Sequence, residues 1–295
     1  MELITDVTRG DWLLARAGEF ATFGGVAGTG FEAYARILHP LRADREDRST
    51  VDEYDDHPVI ESTEWRWAAV AERTRRTIDP LVSWQTLSGR DDESDLSFED
   101  GWLVHPPETG WYEPTQLAVL TELLADATLT PDDLVGAVWD GWGDLNASTL
   151  GFGWQGNGEP TAAERVEMQA HMARAQAQHR REQAALRESL AGPRFPWPAR
   201  DCLLLSMSLQ QLGDPSWMDD ARIGTYVDVG HTPQMLWPEG HEWVLATEID
   251  WDSTIVAGSQ SLVDAILTDG RFEAFPVDQD SDLSWDGDTI NRPTT

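Results

Sequence analysis

Two short clusters of carboxylates and tryptophans have the residue types that acid–base chemistry and ligand binding require. The first is WDGWGD at residues 139–144, which contains Trp139, Asp140, Trp142 and Asp144. It begins at the end of the apolar run LVGAVW, which is typical of a buried strand. If that strand runs out of the core, Asp140 and Asp144 point toward a common cleft, where carboxylates act as acids, bases or metal ligands.

The same hexapeptide also has a purely structural interpretation. Its two glycines permit a tight turn in which Asp140 accepts backbone N–H bonds while both tryptophans pack. The pattern favours this interpretation. Asp140 and Asp144 are therefore weak catalytic candidates, and Trp139 and Trp142 are weak binding candidates.

The second cluster is EIDWD at residues 248–252. Glu248 and Asp250 are a further pair of weak catalytic candidates, and Trp251 is a third weak binding candidate. Three possible metal ligands accompany them in the sequence: His231, His241 and Asp252. Such side chains bind zinc, manganese or iron, but these spacings fit no metal motif, and HEWVL departs from the HExxH pattern. We therefore predict no metal site.

Several enzyme classes are excluded by residues that the sequence lacks. All 21 basic residues are arginine. P-loop enzymes, protein kinases and Schiff-base enzymes need a lysine in their usual forms. The GxSxG nucleophile motif is also absent. The sequence predicts no cofactor.

Two single residues could act as a nucleophile or a base. Cys202, the only cysteine, lies in the apolar run CLLL, where a buried, inert thiol is expected. His39 precedes Pro40 at a strand end and is a candidate general base, although a lone histidine is more often structural. One cysteine permits no internal disulfide, and the chain shows no signal peptide or apolar span. These features predict a cytoplasmic protein without a membrane segment.

The charge is strongly acidic. With 53 acidic and 21 basic residues, the formal net charge is −32 at pH 7. Such a surface repels phosphate backbones, so direct nucleic-acid binding is not expected. Two interpretations stay open: the charge keeps the protein in solution, or an acidic face binds a basic partner.

The elements that position these residues follow from periodicity and turn residues. Strands are predicted at 31–38 and 134–139, at DCLLLSMSL, and in a hairpin formed by EWVLATEID and TIVAGS. Helices are predicted at about 63–79, 115–127 and 259–268, with a charged loop at 42–58. A long, nearly polar helix is predicted as an excursion at 159–192, and a loose acidic tail at 278–295. The expected fold is a single α+β domain over 1–295, with a largely antiparallel sheet, flanking helices and one long projecting helix.

Three segments, FEAYARILHP, WDGWG and LWPEGHEWVLATEIDWDSTIVAGS, resemble a group of uncharacterised acidic proteins of high-GC actinobacteria. The resemblance covers the N-terminal strand, the middle and the C-terminal third of the chain, and leaves out the long helix. It implies one functional unit built from all three segments. It implies no activity or site.

Two function classes follow from these observations. The first is an acidic protein that binds a basic protein partner, in the manner of an immunity, antitoxin or inhibitor protein. The alternative is a small-molecule-binding protein or enzyme whose cleft is lined by tryptophans and by Asp140, Asp144, Glu248 and Asp250.

Overall fold

A computed structural model describes residues 1–52, 54, 56–90, 94–143, 145, 162–223, 227–228, 230–284 and 286–292 of the chain. Its strands are β1 (Leu3–Ile4), β2 (Ala33–Leu38), β3 (Leu41–Glu46), β4 (Val59–Trp65), β5 (Leu96–Ser97), β6 (Trp102–Val104), β7 (Leu134–Trp139), β8 (Phe195–Trp197), β9 (Arg200–Met207), β10 (Arg222–Ile223), β11 (Val227–Asp228), β12 (Met235–Pro238), β13 (Val244–Ala246), β14 (Ser253–Gly258) and β15 (Ala274–Val277). Its helices are α1 (Asp11–Leu14), α2 (Phe23–Ala27), α3 (Trp67–Thr74), α4 (Trp84–Ser88), α5 (Pro114–Asp126), α6 (Ala162–Ser189), α7 (Leu209–Leu212) and α8 (Gln260–Thr268). The predicted α+β class is confirmed.

The larger sheet has nine antiparallel strands in the order β1-β9-β7-β12-β13-β14-β2-β15, with β8 paired to β9. It is buried on both faces. In β7, Leu134 and Val138 pack toward α5 and α8, whereas Val135 and Ala137 pack toward α1 and α2. Because both faces are covered, the strand reads as a continuous apolar run and not as an alternating one.

The smaller sheet has four strands in the order β4-β3-β6-β5 and packs against α3 through its own apolar cluster, which includes Leu41 and Trp67. Only His39 and Pro40 separate β2 in the larger sheet from β3 in the smaller one. The two sheets therefore meet at this dipeptide.

The helix predicted at 63–79 is wrong in its first part. Residues Val59–Trp65 form β4, and the helix begins at Trp67. Its N-terminal cap is a residue distant in sequence, because the carboxylate of Glu273 accepts the backbone N–H groups of Trp67 and Ala68 at 2.6 and 2.9 Å. The loop predicted at 42–58 is also partly wrong, since β3 occupies Leu41–Glu46.

Other predicted elements are confirmed within a few residues. They include α5, α8 with Ser259 as its N-cap, strand β7 and the β13–β14 hairpin. The long helix is present as α6, and Leu190 just beyond its end is buried in the core.

Part of the segment predicted as a loose acidic tail is packed against the rest of the chain. Leu283 lies in the apolar cluster around α1 and α2, and Asp288 is completely buried. Asp288 accepts hydrogen bonds from Thr86 Oγ1 and from Asn291 Nδ2. Because Leu283 and Asp288 are buried against other parts of the chain, composition alone misjudges this segment. None of the described helices is both long and apolar enough to cross a membrane.

Candidate functional site

A cleft of about 810 Å³ opens where the two sheets meet. We call it the junction cleft. Its charged and aromatic lining residues are Arg36, His39, Arg42, Glu64, Trp84, Asp95, His105, Glu108, Trp111, Glu113, Asp250, Trp251 and Asp252. Its volume lies within the range of clefts that hold small organic ligands, and a few polar groups set among apolar walls are typical of such sites.

Arg36 on β2 forms the floor of the cleft and is almost completely buried. Its Nε donates to Ser253 Oγ at 2.9 Å, and its Nη2 donates to Asp252 Oδ1 at 3.0 Å. Its Nη1 donates to the carbonyls of Pro80 and Val82 at 3.0 and 2.9 Å. Four of its five N–H donors are therefore used within the protein, and Arg36 ties the 80–82 segment to the larger sheet.

His39 lines the cleft but has both ring nitrogens occupied. Nδ1 lies 2.7 Å from the carbonyl oxygen of Glu108, and Nε2 lies 2.9 Å from Thr254 Oγ1. Burial lowers the pKa of His39 to about 4, so its ring is neutral at pH 7. A neutral ring that donates to the carbonyl and accepts from the hydroxyl satisfies both contacts. This geometry favours a structural role for the predicted general-base candidate.

One wall of the cleft is formed by His105, whose ring lies between two carboxylates. Nε2 lies 2.9 Å from Asp44 Oδ2, and Nδ1 lies 2.9 Å from Asp95 Oδ1. Burial raises the pKa of Asp44, but hydrogen bonds from Ser62, His105 and Arg42 outweigh burial and hold it at about 2. These two contacts connect Asp44 on β3 with His105, just after β6, and with Asp95, just before β5.

Three carboxylates around the cleft have no cationic partner among the described residues: Glu64, Glu108 and Glu113. Glu113 Oε2 accepts only the indole N–H of Trp111, at 3.1 Å. The other charged groups of the cleft are paired. Within the described part of the chain, these three carboxylates therefore leave the cleft with an excess of negative charge.

Aromatic surface accompanies these carboxylates. Trp111 and Trp251 are half-buried, and Trp84 is buried. Trp111 also lies edge-on to His231, with ring centroids 6.2 Å apart. Of these three tryptophans, Trp251 alone was a binding candidate from the sequence.

Of the predicted candidates, Asp250 and Trp251 line the junction cleft. Glu248 and Asp250 both bind Arg200, at 2.9 and 2.5 Å. The guanidinium of Arg200 lies 5.6 Å from the ring centroid of Trp139. Burial raises the pKa of Glu248 above its ordinary value.

Glu248, Arg200 and Trp139 enclose only a small cavity of about 20 Å³, which has room for about one water molecule. Glu248 is therefore part of an ion-paired cluster next to the cleft, and this cluster holds the loop that carries Asp250 and Trp251.

Trp139, Asp140 and Trp142 do not line the cleft. Asp140 pairs with Arg194 at 3.0 Å, and Trp142 stacks on His231 with ring centroids 4.0 Å apart. Asp144 lies outside the described residues. Both tryptophans pack, as the structural interpretation expects, but the Asp140 carboxylate binds an arginine and not the backbone N–H groups of a turn.

Cys202 is buried, and burial raises the pKa of its thiol to about 12, as expected for an inert cysteine. Among the described residues, no group of three or more histidine, cysteine, aspartate or glutamate side chains is arranged to hold a metal ion.

Arg36, His105 and Glu113 are not among the candidates predicted from the sequence. The last two lie within the segment HPPETGWYEP at residues 105–114, where prolines alternate with polar and aromatic residues. A rigid, surface-following loop of this composition is a signal for a binding wall. Arg36 has no such signal, since it lies in an otherwise apolar strand.

Comparison of the chain with protein-family models, with curated proteins and with solved structures finds no match in any of the three.

Proposed function

We propose that the protein binds a small organic ligand in the junction cleft. The observation that carries this proposal is the cleft itself, a volume of about 810 Å³ lined by tryptophans and carboxylates at the contact of two sheets. Of the two function classes expected from the sequence, this geometry supports the small-molecule-binding protein better than the acidic protein that binds a basic partner.

We propose ligand binding as the primary role, without a general-base role for His39. His39 is the most buried titratable base of the cleft, and both of its nitrogens are engaged within the protein. Asp252 is held by Arg36 and Asp95 contacts His105. A general base needs a free lone pair within reach of its substrate, which these contacts do not leave to His39.

A screen of a metabolite collection by thermal shift, followed by isothermal titration calorimetry, tests this proposal. We expect a ligand that raises the melting temperature of the native protein and whose affinity falls about tenfold or more in Trp111→Ala. Trp102→Ala is the matched control, because Trp102 is also half-buried but packs in the smaller sheet away from the cleft. Equal loss of binding in both variants, or a ligand insensitive to Trp111, would contradict a site in this cleft.

A second candidate function is the binding of a basic protein segment, and the exposed edge of the smaller sheet favours it. Among the described strands β4 pairs only with β3, and all of its side chains except Trp65 are exposed. Val59 and Ile60 are 52% and 62% exposed, next to Glu61. An open strand edge with apolar and acidic side chains suits an extended partner strand that carries apolar and basic residues.

Fluorescence anisotropy with labelled peptides tests this second candidate. A peptide that alternates valine with arginine should bind at low salt, and binding should weaken as salt is added. The same peptide with N-methyl groups along one edge should not bind, because it cannot extend the sheet. Equal binding of a peptide that alternates valine with glutamate would refute charge complementarity. For either function we propose a cytoplasmic location, which agrees with the single unpaired Cys202.

A further inference from the structure

We propose that the ligand of the junction cleft carries a positive charge, in an ammonium or guanidinium group. This inference rests on the proposed function, since it names the chemical class that the same cleft would take. Unpaired carboxylates in the cleft and the tryptophan side chains next to them support this class of ligand.

The arginines of the cleft already have carboxylate partners. Arg36 uses four of its N–H donors inside the protein and pairs with Asp252. Arg42 pairs with Asp44 at 2.8 Å, although its side chain is 68% exposed. Because a carboxylate already offsets each of these charges, an anionic ligand gains little charge pairing, and it would meet a chain of net charge −32.

Several carboxylates of the cleft, in contrast, have no charged partner among the described residues. Within the described part of the chain, Glu64, Glu108 and Glu113 have no ion pair. Asp250 shares its only cation, Arg200, with Glu248. A ligand cation placed among these groups gains charge pairing without breaking an internal contact. A partly enclosed cleft strengthens such pairing relative to open water.

The tryptophans supply the second element of cation recognition. Trp111 and Trp251 are half-buried, and both residues line the cleft together with Glu113 and Asp250. An ammonium or guanidinium group within about 6 Å of an indole centroid is attracted by the electrons of the ring. The protein itself forms this contact elsewhere, where Arg73 lies 4.5 Å from the ring centroid of Trp65.

Two sets of isosteric probes test the inference by calorimetry and saturation-transfer NMR. The first set is choline, its neutral isostere 3,3-dimethylbutan-1-ol and the anion 3,3-dimethylbutanoate. The second is benzamidine, benzamide and benzoate. Within at least one set we expect the cation to bind about tenfold or more tightly than its neutral isostere, and the anion to bind least.

Charge-removing variants localise the effect. Glu113→Gln should weaken binding of the cation several-fold and leave the neutral isostere unchanged. Glu72→Gln is the matched control, because Glu72 is an exposed glutamate on α3 that does not line the cleft.

The outcomes separate the inference from the proposed function. Equal or tighter binding of the neutral or anionic member overturns the cationic class, while a ligand from the metabolite screen that depends on Trp111 still supports the cleft. Failure of both cations to bind also overturns the inference. Failure of every probe and of the metabolite screen overturns both.

Discussion

Replacement of the buried arginine at the sheet junction offers the sharpest test of the structure. Arg36→Met keeps most of the side-chain volume but removes the guanidinium. Ser253 Oγ, the Asp252 carboxylate and two backbone carbonyls then lose their donor. Removing one partner of a buried ion pair costs about 3–5 kcal/mol, because the remaining polar groups stay buried without a partner.

The expected change in melting temperature follows from chain length. An unfolding entropy of about 2.1 cal/mol/K per residue gives about 0.6 kcal/mol/K for the whole chain. A loss of about 4 kcal/mol therefore lowers the melting temperature by about 6 °C. Differential scanning calorimetry at pH 7 measures this shift directly.

The control is Arg45→Met. Arg45 and Glu61 form a long, exposed pair of 3.9 Å, and such surface pairs contribute about 0–1 kcal/mol. We expect its melting temperature to fall by less than about 2 °C. If Arg36→Met shifts the melting temperature no more than this control, the buried network does not hold the 80–82 segment to the larger sheet, and our account of the junction is wrong.

Three further predictions concern other parts of the fold. His39 has a pKa of about 4 in the folded state and about 6.5 when unfolded, so the unfolded state gains a proton first as the pH falls. The native protein should therefore lose about 2 kcal/mol more unfolding free energy between pH 7 and pH 5 than His39→Gln does, as measured by urea denaturation; equal losses would contradict a neutral, buried ring. Cys202 should not react with iodoacetamide at pH 8 in the folded protein but should react in urea, because burial raises its pKa to about 12; mass spectrometry distinguishes the two states, and rapid labelling of the folded protein would contradict its burial. Deletion of residues 278–295 should lower the melting temperature by several degrees, because it removes the buried Leu283 and Asp288 from their packing; an unchanged melting temperature would support a loose tail after all.

Much of the secondary structure could be predicted because its signals are local. Ser259 caps α8 through its own hydroxyl, and Pro114 stands in the first turn of α5. The signal failed at Trp67, where the capping carboxylate belongs to Glu273, about 200 residues later in the chain. A cap supplied from another part of the chain leaves no local pattern, so the preceding residues read as helix although they pair as β4.

The composition shows a strongly acidic chain with many tryptophans and no lysine. Residue type and spacing also placed Asp250 and Trp251 among the candidates, and both line the junction cleft. Which carboxylates are free depends on the folded chain, because Glu248 and Asp140 are neutralised by Arg200 and Arg194 from distant segments. Whether a charged side chain is available to a ligand depends on the partners that folding brings within a few ångströms of it. Residue type and local spacing do not specify the distance between such a side chain and a partner from a distant segment.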